Sequence, residues 1–283
     1  MGFVTRRVKW LTSVFLVAAL GAGTAGAFAT SAAAKARPRH RHPVQAVTPT
    51  APVTTASFNF TATVSGIKSL GVVTLTGSGQ ADIANDAVAL SVTIPASVAT
   101  LIPGGSASPE VVNVVLSGGT VYAEVPALAP LLGAPWISVA LPSSAVSSLP
   151  GIFTEVGSAL GNVNEILAFA RANHAHVHSL GSSIVDGTSV TGNAVTARLQ
   201  GVRLSATLWA DSSDQLVQAL VRAQAGHRGF GISATVNVSD YGAPVTITVP
   251  PPSQVKPIPL SVVTQVLGSL LSSAHLGGFL AGK

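Results

Sequence analysis

From Phe58 onward the chain alternates apolar and polar side chains with a period of two, and this pattern recurs over most of the following two hundred residues. Phe58, Phe60, Ala62 and Val64 alternate with Asn59, Thr61, Thr63 and Ser65; Val73 and Leu75 alternate with Thr74 and Thr76; Val88, Leu90, Val92 and Ile94 alternate with small or polar residues. Successive side chains of a strand point to opposite faces, so each run is a strand with one oily side. The same texture predicts strands at 112–116, 121–125, 136–141, 188–199, 203–210, 216–224, 232–238 and 245–249. Asn85-Asp86, Gly118-Gly119, Asp211 to Asp214 and Gly226 to Gly229 separate them at hairpin spacing, which predicts an antiparallel meander.

Two stretches follow a helical period instead. Val156, Ala159, Leu160, Val163, Ile166, Leu167 and Ala170 share one stripe, and Val262, Val263, Val266, Leu267, Leu270 and Leu271 share another within a predicted C-terminal helix over 260–280. A short helix is expected around Pro95 to Ile102. About ten strands ~4.8 Å apart and roughly 17 Å long expose on the order of 800 Å² of apolar face, and two helices about 10 Å wide cover half to two-thirds of it. The surplus requires the sheet to curl, to pair with another chain or to enclose an apolar guest. Aromatic residues make up only 5% of the chain, so the lining is built from Val, Ala, Ile and Leu, which fill space less completely than rings.

The first 55 residues read differently. Arg6, Arg7 and Lys9 precede an apolar run from Trp10 to Leu20, and Ala27-Phe28-Ala29 is a small-x-small cleavage pattern, so residues 1–29 are expected to be an export signal. Residues 30–55 carry Lys35, Arg37, Arg39, Arg41 and four prolines with nothing large to bury, the composition of a disordered basic linker. A single domain over 56–283 is expected to follow. The +5 net charge of the whole chain is concentrated in the leader and linker: residues 56–283 hold eight basic against ten acidic residues, a net of −2. A domain of that charge lacks the footprint for gripping nucleic acid. The absence of cysteine excludes disulfides, thiolate metal sites, iron-sulfur clusters and cysteine nucleophiles.

Chemistry-bearing residues are sparse. His174, His176 and His178 form His-x-His-x-His; in a strand all three would share a face suited to Zn²⁺ or Ni²⁺, whereas in a helix only His174 and His178 would. No Gly-x-Ser-x-Gly elbow or phosphate loop occurs. Asp82, Asp86, Asp211, Asp214 and Asp240 fall where turns favour Asp, and Glu155 and Glu165 lie on the polar side of the first helix, so a non-catalytic protein without cofactor is expected. Trp136 and Trp209 read as core or rim residues, Tyr122 as an amphipathic residue able to mark a cavity mouth, and Tyr241 as a brace of its turn.

Gly119-Thr-Val-Tyr122, Pro126, Trp136, Leu208-Trp209-Ala210-Asp211, Leu216-Val-Gln, Ser239-Asp240-Tyr241-Gly242-Ala-Pro244-Val245 and Val249-Pro250-Pro251 occur in an order and spacing that resembles the LppX/LprG family of actinobacterial cell-envelope lipoproteins, relatives of the LolA-type carriers. The resemblance covers roughly residues 56–255. It implies an α+β fold: a strongly bent antiparallel sheet forming a half-barrel, helices on its concave side, and between them a cavity that accepts acyl chains of lipids or glycolipids. On that reading the lining is Phe58, Phe60, Val73, Leu75, Leu90, Val92, Val112, Val114, Leu116, Leu160, Val163 and Leu167. Family members are commonly anchored through a lipobox cysteine, which this chain lacks, so it is expected to be released into the envelope or medium, or tethered by an uncleaved leader. The partners so implied are lipid acyl chains, with a membrane surface or a membrane transporter beyond them. Two alternatives stay open: an envelope interaction module with a filled core, and a secreted metal-binding protein using the histidine triplet.

Overall fold

The computed structural model describes residues 53–67, 71–100, 104–199, 202–225 and 230–262. The expected leader and nearly all of the linker lie outside these residues, as does the predicted C-terminal helix beyond Val262.

Among the described residues twelve strands form one open sheet: β1 (Thr55–Ile67), β2 (Gly71–Asp82), β3 (Ala87–Ile94), β4 (Glu110–Ser117), β5 (Thr120–Glu124), β6 (Trp136–Ala140), β7 (His176–Val185), β8 (Thr188–Leu199), β9 (Val202–Ala210), β10 (Leu216–Ala225), β11 (Phe230–Ser239) and β12 (Val255–Pro257). Their spatial order is β12-β6-β5-β4-β3-β2-β1-β11-β10-β9-β8-β7. Two meanders, β1 to β6 and β7 to β11, are thus sewn together where β1 pairs antiparallel with β11, from Ser57 opposite Ser239 to Ser65 opposite Gly231. Only the short β12 runs parallel to its neighbour, β6. The half-barrel implied by the resemblance is the observed architecture, an α+β fold with an open sheet.

Turn chemistry sets the register of each hairpin. Gly118-Gly119 between β4 and β5, and Asp186-Gly187 between β7 and β8, all have positive φ, as two-residue hairpin loops matched to strand twist require. Asp86 also has positive φ, and the Asp82 carboxylate accepts from the Asn85 backbone N–H at 3.2 Å in the same turn.

Two longer helices, Leu149–Gly161 and Val163–Ala172, follow the single turn Ser143–Val146 between the meanders in the chain. The single stripe read from Val156 to Ala170 is broken at Asn162, whose φ of −152° ends one helix and whose side-chain oxygen accepts from Asn164 N–H to cap the next. The break also frees Val163 N–H to donate to the Asp214 carbonyl at 2.9 Å, which ties the second helix to the β9–β10 turn. Both helices turn Phe153, Val156, Leu160, Val163, Leu167 and Ala170 into one core with inward residues of the strands. That core includes Val88 on β3 and Val195 on β8, which stand six strand spacings apart, roughly 29 Å along a flat sheet. Helices about 10 Å across bridge that distance only because the sheet bends around them.

One expected strand is corrected and two further strands appear among the described residues. Residues 245–249 form no strand: with Pro244 and Pro250 at its limits the segment runs as an unpaired connection. Strand β7 was not foreseen, because Gly181, at φ +79°, introduces a register shift that interrupts alternation, and the three-residue β12 is too short to show a pattern. The short helix expected around Pro95 to Ile102 is a single turn, Ala96–Ala99, in the described residues.

Gly77 and Gly79 occupy inward positions of β2 where both cross-strand partners carry apolar side chains, Phe60 and Val92 for Gly77, Phe58 and Leu90 for Gly79. The rings of Phe60 and Phe58 lie over them: a Cβ at Gly77 would fall 2.6 Å from Phe60 Cζ and 2.4 Å from the Ser91 carbonyl oxygen, and one at Gly79 2.6 Å from Phe58 Cζ and 2.4 Å from the Ala89 carbonyl. Neither strand backbone can retreat without breaking ladder bonds. Gly77→Ala and Gly79→Ala are therefore each expected to destabilise the fold by about 1–3 kcal/mol, read as a lower denaturation midpoint at unchanged slope.

Candidate functional site

Strand pairing carries the apolar residues across the sheet in rows. One runs Val238, Phe58, Gly79, Leu90, Val114, Ala123, Ile137; a second runs Leu208, Ala219, Val236, Phe60, Gly77, Val92, Val112. Every member faces the concave side, because antiparallel partners share a face. The opposite face presents Asn59, Ser78, Ser91, Asn113 and Gln218 in register, with Asn237 Nδ2–H donating to Asn59 Oδ1 at 2.9 Å and Asn113 Nδ2–H to Glu124 Oε2 at 2.7 Å. An open depression of about 490 Å³ lies on this polar face, bordered by Asn59, Ser78, Ser91 and Asn113.

The structure divides the twelve expected lining residues into two groups. Phe60, Leu90, Val92, Leu160, Val163 and Leu167 are buried in the joint core of sheet and helices, with Leu167 and Val163 each 2% exposed. Phe58, Leu75, Val114 and Leu116 pack against that core while staying half-buried. Val73 is buried and Val112 half-buried, and neither belongs to the cluster that the helices join. The accessible apolar wall is therefore the β4–β6 limb. Besides Val112, Val114 and Leu116 it contains Val121, Ala123 and Ile137, all half-buried. Sequence reading did not single these out, although the same alternation in 121–125 and 136–141 marks them.

The histidines do not converge. His176 and His178 sit on the outer face of β7, whereas His174 precedes the strand at φ +61°, in the left-handed region. Among the described residues no three His, Asp or Glu side chains come together as a donor set for a metal ion. The acidic residues in turns serve the backbone: Asp211 Oδ1 accepts from Ser213 N–H at 2.8 Å and from Gln215 N–H at 3.0 Å, and Asp214 and Asp240 adopt positive φ. Glu165 accepts from the Ser158 hydroxyl, joining the two helices on their outer side.

Tyr241 braces the turn that follows β11. Its hydroxyl donates to the Leu216 carbonyl and its ring packs on the core, so the turn after β11 is latched to the start of β10. Burial, and secondarily the Asp211 carboxylate, hold the phenol well above its usual range.

No family model matches the chain, and no curated protein matches it. Among solved structures it is similar to lipoprotein LppX of Mycobacterium tuberculosis, with 16% identity, a TM-score of 0.36, and coverage of 69% of this chain and 90% of that one. A DUF1329 family protein from Desulfovibrio piger is similar at 11% identity and a TM-score of 0.26, over 69% of this chain and 88% of that one. A putative outer membrane lipoprotein-sorting protein domain from Vibrio parahaemolyticus is similar at 7% identity and a TM-score of 0.24, over 68% and 87%. Likenesses this distant assign no ligand to the chain.

A phenol whose folded-state pKa is raised contributes stability that is complete below its unfolded value near 10 and is lost as pH rises further. Tyr241→Phe is expected to cost about 1 kcal/mol at neutral pH through the lost hydrogen bond, and to flatten the decline of stability above pH ~10. Denaturant titrations at neutral and alkaline pH, compared between the two proteins, measure both effects.

Proposed function

We propose that this chain is an extracytoplasmic, non-catalytic lipid-binding protein that holds acyl chains of lipids or glycolipids against the concave face of its sheet, with envelope lipid transport as its setting. The observation that carries the reading is the mismatch between wall and cover: inward apolar rows cross from β8 to β6, while helices of 13 and 10 residues join their core to only part of that span. The β4–β6 limb keeps Val112, Val114, Leu116, Val121 and Ile137 half-buried, a strip of aliphatic side chains suited to methylenes, with the Glu110 carboxylate at its end accepting from Ala127 N–H. Each buried methylene supplies about 0.8 kcal/mol, so a sixteen-carbon chain gains roughly 10 kcal/mol before the costs of association. Selectivity then resides in chain length more than in head group. The sequence motifs shared with the LppX/LprG family point the same way.

Export fits the apolar, basic-headed leader, and among the described residues no helix is long and apolar enough to cross a membrane. The competing reading, an interaction module with a filled core, draws on the tight burial of Leu160, Val163 and Leu167.

Native mass spectrometry of protein purified without detergent separates the two. Lipid adducts are expected, and Val114→Trp, which thickens the open limb opposite Leu90, is expected to reduce loading several-fold with a stability change under about 1 kcal/mol. Leu167→Trp, at a position only 2% exposed, is expected instead to destabilise the fold by about 1–3 kcal/mol. A protein that never carries or takes up lipid, with Val114→Trp as destabilising as Leu167→Trp, would leave only the filled-core module.

A further inference from the structure

The charges of the sheet are segregated. Strands β7 to β11 contain Arg198, Arg203, Arg222, His176 and His178 and not one Asp or Glu, although residues 56–283 as a whole carry two more acidic than basic residues. All five side chains project from the outer face, because their strand neighbours Val177, Ala197, Leu204 and Val221 take the inward positions. Arg198 stands directly opposite Arg203 across β8 and β9. Arg222 stands opposite Ser205, two residues from Arg203, and His176 stands opposite Thr196, two residues from Arg198. The three arginines are exposed, and among the described residues no hydrogen bond or ion pair engages them. Like charges facing each other at about 5 Å between Cβ atoms oppose folding, so structure alone gives no reason to collect them there.

We infer that the outer face of β7 to β10 is a docking surface for an anionic lipid bilayer. The choice of a bilayer rests on the lipid-binding reading, which requires access to a membrane. Geometry favours the same partner: the arginines are spread over three adjacent strands of a sheet face, with His176 and His178 on the fourth and Thr196, Ser205 and Thr207 between them, and the depression on this face lies on the other meander, around Asn59 and Asn113. A broad array of point charges flanked by hydroxyls matches a plane of phosphates. Docking by the outer face would leave the concave wall free to receive a chain.

The test is co-sedimentation of the full chain with phosphatidylcholine vesicles, with and without phosphatidylglycerol, at low and high salt. Replacing Arg198, Arg203 and Arg222 together by Thr is expected to lower the preference for anionic vesicles by roughly a hundredfold, at about 1 kcal/mol for each arginine. Replacing the three by Lys is expected to keep it. Serine at Lys35, Arg37, Arg39 and Arg41 is expected to leave the arginine-dependent part in place, and salt to abolish it. The Thr variant is expected to melt no lower than the parent, since it relieves the Arg198–Arg203 opposition. An unchanged preference in the Thr variant, or its loss in the Lys variant, overturns the inference. So does arginine-dependent binding of soluble polyphosphate without preference between vesicles, which would give the face to a polymer. Lipid loading of the same variants by native mass spectrometry keeps the two readings apart: empty protein that still prefers anionic vesicles counts against the carrier alone, and loaded protein without that preference counts against the docking face alone.

Discussion

The pairing of β1 with β11 sets the geometry on which the other features depend. It joins two sequential meanders within one sheet and so sends β6 and β7, which are consecutive in the chain, toward opposite margins, with the short β12 alone beyond β6. Ten strand spacings separate them, roughly 48 Å along a flat sheet. The chain between Ala140 and His176 must cross that distance, and its apolar helices bury their stripes by crossing on the oily side. Their lengths, about 20 and 15 Å, make them a chord rather than a cover. Bending the sheet brings the margins within reach, and the bend creates the hollow.

Small residues at chosen positions make the bend compatible with dense packing. Gly77 and Gly79 let two phenylalanine rings lie flat across β2. On the outer face Gly192 does the same for the Trp209 ring, where a Cβ would fall 2.3 Å from Cζ3. Gly157 and Gly161 bring the first helix against Val53 and Ile83, with the Val53 carbonyl oxygen 2.9 Å from where a Cβ would stand on Gly157. Packing is thus tightest where the helix meets the ends of β1 and β2 and looser along β4 to β6, where the inward side chains other than Val139 remain half-buried.

Much of this was legible in the sequence because the period of two is a local property. Alternation placed ten of the strands and assigned the inward face of Phe58, Leu90 and Val114 correctly, since parity survives small errors of boundary. It failed where backbone interrupts parity, as at Gly181 in β7, and where prolines mimic strand ends, as at residues 245–249. Helical periodicity likewise ran through Gly161-Asn162, because a cap leaves little trace in a stripe that resumes one residue later. Which inward residues lie beneath the helices and which remain accessible was not legible, since that depends on the non-local β1–β11 pairing and on the path of the crossover. For the same reason Val121 and Ile137 join the candidate wall only once β5 and β6 are seen to extend the rows. The histidine triplet was misleading in the opposite sense: its spacing suits a strand, but the strand begins at His176 and leaves His174 in the preceding turn.

Wall, chord and charge together describe a molecule with an aliphatic inner limb and a cationic outer face on the opposite meander. The central claim is that the inner limb holds an acyl chain, and photo-crosslinking with a diazirine-bearing fatty acid, followed by peptide mapping, tests it most directly. Adducts are expected on Val112, Val114, Leu116, Val121 and Ile137, and not on their outward neighbours Asn113 and Tyr122. Adducts distributed over both faces of β4 and β5, or none at saturating lipid, would contradict the account.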